Sequence, residues 1–176
     1  MPKISLIISF YNKTELLQKV LESIALQTMQ DVEVVIADDG SGPQAAAFIE
    51  HAAHSYPFPI RHVWHEDKGW RKNAILNKAV MAAKSEYLVF IDGDCLLERH
   101  FLEEHYASRK QGEVVTGRRV LLTPKTTERL LSEPLTPHSF GWRLFFQLLA
   151  ETLFGPHKTQ MEQMIRLPKW MRRLFL

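Results

Sequence analysis

Apolar positions along the chain follow two periods that take turns. Residues 3–9 (KISLIIS), 32–37 (VEVVIA), 60–65 (IRHVWH), 86–92 (EYLVFID) and 113–122 (EVVTGRRVLL) are short apolar runs that read as strands. Between them, residues 14–28, 43–56, 71–84 and 98–110 carry helical spacing; Leu17, Val20, Leu21 and Ile24 fall on one stripe of the first. Pro43 suits the first turn of the second helix. Strands separated by helices predict βαβ units, and hence an α/β fold with a mainly parallel sheet and helices on both faces.

This rhythm is lost after about Thr123. Residues 123–138 are broken by prolines, and two apolar-aromatic runs, 140–154 and 160–176, then read as helical. No sixth strand and no internal repeat is present. The expected organisation is an α/β body over residues 1–122, followed by a basic helical segment of the same domain over residues 123–176.

Length and composition narrow the class. At 176 residues, with 45% hydrophobic and 24% charged positions, the chain fits one ordinary globular domain with a sizeable core. Cys95 is the single cysteine, which excludes an internal disulfide and points to a reducing, cytoplasmic setting. Neither a leader nor an apolar stretch long enough to span a bilayer is expected. The net charge of +2 is unevenly placed: residues 1–109 hold 11 Lys and Arg against 15 Asp and Glu, residues 110–176 hold 11 against 5. The basic second part is either a solvated face or a surface that meets anions. No nucleic-acid partner is expected.

Candidate chemistry collects at the strand ends. In an open parallel sheet, ligands bind outside the carboxyl ends of the strands. Here those ends read SFYNK, DDGSG, HEDKGWR and DGDC. Asp92-Gly93-Asp94 would serve as a turn, since Asp and Gly favour turns, or as a divalent cation site, since hard cations take carboxylate oxygens. Four polar or acidic endings on one edge favour a site. Carboxylates repel phosphate, so a nucleoside diphosphate would need a bridging cation there. Tyr11 offers a ring to a base, Asp38 or Asp39 an acceptor to a base N–H or ribose hydroxyl, and Arg71 and Lys72 positive charge to phosphate. The segment Gly40–Ala45 matches G-x-G-x-x-A, but two aspartates precede its glycines and it follows the second strand, which argues against a dinucleotide fingerprint. His62 and His65, three apart on a strand, should point to opposite faces and make a poor chelate; the paired histidines are expected at the surface or an interface.

With these motifs in place, the chain resembles the family 2 glycosyltransferases, inverting nucleotide-sugar transferases of the GT-A (Rossmann-like) fold. The resemblance runs through SLIISFYNKTELLQKVLESIALQT, VEVVIADDGS, HEDKGWRKNAILNKAV and EYLVFIDGDC, covering about residues 3–122. It implies a UDP-sugar donor. Tyr11 would line the uracil pocket, and Asp39, with Asp38 as second choice, would hydrogen-bond the base. Asp67, Arg71 and Asn77 would lie near the nucleotide, Asp92 would touch ribose or metal, and Asp94 would ligate the Mn²⁺ or Mg²⁺ that bridges the diphosphate. The acceptor would be a glycan or lipid-linked hydroxyl, with cell-surface polysaccharide synthesis the family-level expectation.

One family motif has no counterpart. The general base of an inverting transfer usually sits downstream in a glycine-rich Glu-Asp context, and Glu103, Glu104, Glu128, Glu133, Glu151 and Glu162 lack the flanking glycines. The expectation is therefore a transferase that retains the donor half and lacks most of the acceptor half. The alternatives are a nucleotide-sugar-binding protein without turnover and, further off, a nucleotidyltransferase, whose glycine-rich loop after the first strand is missing. The final run LPKWMRRLFL suits packing on further chain, self-association, or peripheral contact with the inner face of a membrane through Trp170, Met171, Leu174 and Phe175 among Lys169, Arg172 and Arg173.

Overall fold

The computed structural model describes residues 1–117 and 119–154. Its elements in chain order are β1 (Ile4–Phe10), α1 (Thr14–Ala25), β2 (Val32–Asp38), α2 (Pro43–Ser55), β3 (Ile60–Trp64), α3 (Lys72–Ala82), β4 (Leu88–Asp92), α4 (Phe101–Ser108), α5 (Pro124–Ser132) and α6 (Trp142–Phe154). The four strands form one parallel sheet in the order β3-β2-β1-β4. The fold is α/β, as the alternating periods require.

Alternation within β1 and β2 builds two cores. Ile4, Leu6, Ile8 and Phe10 of β1 and Val32, Val34 and Ile36 of β2 join Leu17, Val20, Leu21 and Ile24 of α1, with Ala45, Ile49 and Ala52 of α2 and Leu102 of α4. On the opposite face Ile7, Val35 and Ala37 meet Ile75 and Ala79 of α3. Both faces are thus covered by helices, which is why these central strands read as continuous apolar runs. Each fully buried aliphatic side chain contributes about 1.5–3 kcal/mol.

Two buried polar side chains inside this body show how such groups are paired. Glu33 is buried beside its cross-strand neighbour Ser5, accepting from Ser5 Oγ at 2.5 Å and from the Lys84 N–H at 2.5 Å. Gln27 bonds the Glu98 carbonyl at 2.7 Å and accepts from the Leu102 N–H at 3.0 Å, which ties the end of α1 to the start of α4. These bonds satisfy groups that would otherwise be costly to bury.

The structure departs from expectation in two places. Residues 113–117 and 119–122 form no strand, and Val114 and Leu121 are exposed. The proline-broken stretch instead contains α5. Thr123 caps it by accepting from the Thr126 N–H, and Pro124 occupies the first turn, where its missing N–H costs nothing. The Cα trace divides into two compact units, Met1–Val115 and Thr116–Leu176. Within the second, Glu151 of α6 accepts from Thr123 at 2.7 Å, from Thr126 at 3.0 Å and from Gln147 at 3.0 Å. The expected helix over 160–176 and its basic-aromatic run lie outside the described residues. Among the described residues no helix is long and apolar enough to cross a membrane.

Candidate functional site

The strand order places β2 on one side of β1 and β4 on the other, so the crevice for a ligand opens beyond the carboxyl ends of β1 and β4. Ser9 and Asp92 are register partners there, and Ser9 Oγ donates to Asp92 Oδ1 at 2.9 Å. Lys72, the first residue of α3, sets its ammonium on the same oxygen. Gly93 then turns the chain: its N–H donates to the Ser9 carbonyl at 2.9 Å, and a Cβ at this position would stand 2.8 Å from that oxygen. Glycine is therefore required for β4 to deliver its carboxylates this close to β1.

Asp92, Asp94 and Cys95 offer ligand atoms within 4.8 Å of one another. Asp94 is exposed and Asp92 half-buried. Burial pushes the Cys95 thiol up, and the Asp94 and Asp92 carboxylates push it the same way; as a soft sulfur donor it is also the poorer partner for a hard cation. The donor set that remains is two carboxylates. That fits a hard divalent cation of the Mg²⁺ or Mn²⁺ kind, which takes one or two protein carboxylates and completes its shell with water and phosphate oxygens.

Beside this corner, the ends of β2 and β3 lock together. Asp38 is wholly buried; its Oδ1 accepts from the Ser41 N–H at 2.8 Å and its Oδ2 lies 2.8 Å from His62 Nε2. Burial alone would raise the Asp38 pKa, but the bonds from His62 and Ser41 outweigh it and hold the carboxyl below its usual range. Asp39 Oδ1 lies 2.7 Å from His65 Nε2, and Oδ2 accepts from the Arg71 N–H at 2.9 Å. The loop after β1 is fixed to the same place. Asn12, with φ 56°, donates its N–H to Ser41 Oγ at 2.8 Å and accepts from the Gly42 N–H at 3.1 Å. Trp64 Nε1 donates to the Ser41 carbonyl at 3.1 Å.

The loop between β3 and α3 closes the rim. Tyr11 Oη donates to Asp67 Oδ2 at 3.0 Å, and the Gly69 N–H donates to Asp67 Oδ1 at 3.0 Å. These two donors hold the Asp67 carboxyl low, and the hydrogen bond to Asp67, followed by its charge, raises the Tyr11 phenol in turn. The Arg71 guanidinium returns to the Glu66 carbonyl. Gly40, at φ 99°, passes under this loop so closely that a Cβ would stand 2.6 Å from Asp67 Cα.

Of the residues singled out from the sequence, Tyr11, Asp39, Asp67 and Arg71 are joined through direct hydrogen bonds and the Asp67–Arg71 loop. Asp92 and Asp94 form the neighbouring corner. Asp38 faces inward. Asn77 is exposed in the middle of α3, outside this bonded set. Ser9, Asn12, Ser41, His62 and His65 were not anticipated. Each of the two histidines pairs with its own aspartate of Asp38-Asp39; His62 stays partly exposed, whereas His65 is buried and lies one residue beyond the end of β3, where strand alternation no longer applies.

The chain is similar to known glycosyltransferases in sequence and to solved structures in fold. The putative glycosyltransferase EpsH of Bacillus subtilis is 32% identical over 104 residues, covering 58% of this chain and 29% of that protein. An uncharacterized glycosyltransferase of Nostoc is 33% identical over 101 residues, covering 57% and 31%. This chain thus spans about a third or less of the length of such relatives. Among solved structures, S. aureus TarS matches with TM-score 0.52 at 25% identity, covering 60% of this chain and 19% of TarS. TarS 1–349 in complex with UDP-GlcNAc matches with TM-score 0.50 at 26% identity, covering 60% and 30%. The model of Glycosyl transferase family 2 matches residues 5–164, and the chain belongs to that family.

Proposed function

We propose that the carboxyl edge of the sheet binds a UDP-sugar through a divalent cation, as the donor site of an inverting sugar transfer to a hydroxyl of a glycan or lipid-linked acceptor. The observation that carries this is the pair Asp92 and Asp94 at the β1–β4 crevice, with Lys72 beside them. Two carboxylates and one ammonium suit a cation that is itself shared with a diphosphate. The UDP and UDP-GlcNAc complexes of TarS support a uridine nucleotide as the donor.

Roles follow from accessibility. Asp39 keeps a partly open carboxylate and is the acceptor for a base N–H, whereas buried Asp38 braces the loop from beneath. Tyr11, half-exposed and held by Asp67, offers the ring face. Arg71 and Lys72 supply positive charge at the start of α3. Asp92 and Asp94 would hold Mn²⁺ or Mg²⁺, which stabilises the charge that develops on a departing nucleoside diphosphate. In the transfer, the acceptor oxygen bonds to the anomeric carbon as the bond from that carbon to the diphosphate breaks, and the hydroxyl proton passes to a base. The chain's own part is to grip the donor so that this carbon faces outward.

Calorimetric titration with UDP, with and without Mn²⁺, tests the reading on this chain and on Asp94→Ala. Binding that needs Mn²⁺ and is lost in the variant is the expected result. Equal binding by both proteins, or none by the folded wild-type chain, would show that Asp92-Gly93-Asp94 is only a turn.

A further inference from the structure

His65 stands outside the donor roles just assigned, yet it makes one of the shortest polar contacts at the rim. Its Nε2 lies 2.7 Å from Asp39 Oδ1, and the side chain is 6% exposed. The other ring nitrogen, Nδ1, is buried without a partner. In a neutral ring the proton is therefore best placed on Nε2, where it is bonded, since an N–H at Nδ1 would be buried and unmet. His65 thus presents a donor to Asp39.

The consequence lies at Asp39. Its backbone is fixed by the bond from its N–H to the Phe10 carbonyl at 3.0 Å. One carboxylate oxygen receives His65, the other the Arg71 N–H. With two inward donors, the carboxylate is kept as an acceptor, and an ionised carboxylate has about four acceptor positions, leaving some for a ligand. A base edge that meets it must bring an N–H. Uracil does so at N3, while cytosine brings a lone pair there.

We propose that His65 is a positioning residue that orients Asp39 as a fixed acceptor and so sets a preference for uracil over cytosine in the bound nucleotide. The proposal rests on the donor-site reading above and adds the origin of its base selectivity. The loss of one hydrogen bond to a charged acceptor corresponds to about 10- to 100-fold in affinity.

The test compares UDP and CDP affinities, in Mn²⁺, for the wild-type chain and for His65→Ala, His65→Gln and His65→Asn. A glutamine amide reaches the place of Nε2 and an asparagine amide falls short of it. Glutamine should therefore keep the preference for UDP, while asparagine and alanine should bring the UDP-to-CDP ratio toward one. The glutamine–asparagine pair carries the test even if the alanine variant is unstable. A ratio unchanged in asparagine and alanine, with both nucleotides weakened alike, would leave His65 a packing residue and overturn the proposal. Failure of the wild-type chain to bind UDP would overturn the donor site itself, and this proposal with it.

Discussion

Asp38 carries a carboxylate into a position with no solvent exposure, and it remains ionised because Ser41 and His62 meet its oxygens. Its folded pKa lies below the ordinary carboxylate value despite burial. The stability it contributes is fully present above about pH 4, the unfolded value, and is lost as pH falls from there through the depressed folded value. Asp38→Asn should cost about 1.5–3 kcal/mol at neutral pH, the range for a hydrogen bond to a charged group. That deficit should shrink on acidification below pH 4, as the wild-type carboxyl becomes protonated. Denaturant unfolding of both proteins from pH 7 to pH 2.5 measures it; a gap that stays constant with pH would mean that the charge of Asp38 carries none of the effect. The sequence showed the aspartates and where they fall, because strand ends are legible. It hid the histidines that meet them, because His62 and His65 look like neighbours in one strand, whereas His62 answers to the last residue of β2 and His65 to the residue after it.

At the scale of elements, the central strands were legible because both faces are buried and their apolar runs are nearly continuous, interrupted inside by Ser5 and Glu33. Helix α1 was legible for the opposite reason, a clear stripe of Leu17, Val20, Leu21 and Ile24. Residues 113–122 misled because apolar content resembles a strand even where the described residues join no sheet, and pairing is a property of the fold. The proline at 124 misled in the other direction, since the same residue breaks a helix inside and begins one at the first turn. Hydrogen exchange should reproduce this contrast. Amides of β1 and β2 should open only near the global unfolding free energy, and those of 114–117 and 119–122 should exchange with opening energies near zero. Strong protection of the latter would show that the run pairs as a strand in solution. Ile75→Ala, at the α3–sheet contact, should lower stability by about 2–5 kcal/mol in the same unfolding assay. Because α3 carries Arg71 and Lys72 at its start, that variant should also weaken UDP binding.

For the whole molecule, binding and transfer separate. Every side chain placed in the proposed donor site belongs to the unit Met1–Val115, so we expect donor binding to need only the sheet edge and its loops. Transfer needs a base within hydrogen-bond reach of the acceptor hydroxyl, and such a base contributes about 10²- to 10⁴-fold. Two acids downstream of Asp94 are committed elsewhere. Glu103 accepts from Thr28 at 2.8 Å and pairs with His100. Glu151 is bonded by Thr123, Thr126 and Gln147, and although burial raises its carboxyl, those bonds bring it below the usual range, which makes it a weak proton acceptor. The match to EpsH covers 29% of that protein's length. We therefore expect this chain to bind UDP-sugar with Mn²⁺ but to release UDP, in the presence of hydroxyl acceptors, about 10²- to 10⁴-fold more slowly than a relative that supplies a base. Parallel titration and UDP-release assays decide the matter. Donor binding with slow release fits a donor module, whereas release at the usual enzymatic rates of about 1–10³ s⁻¹ would mean that one of these acids leaves its present partners to serve as the base.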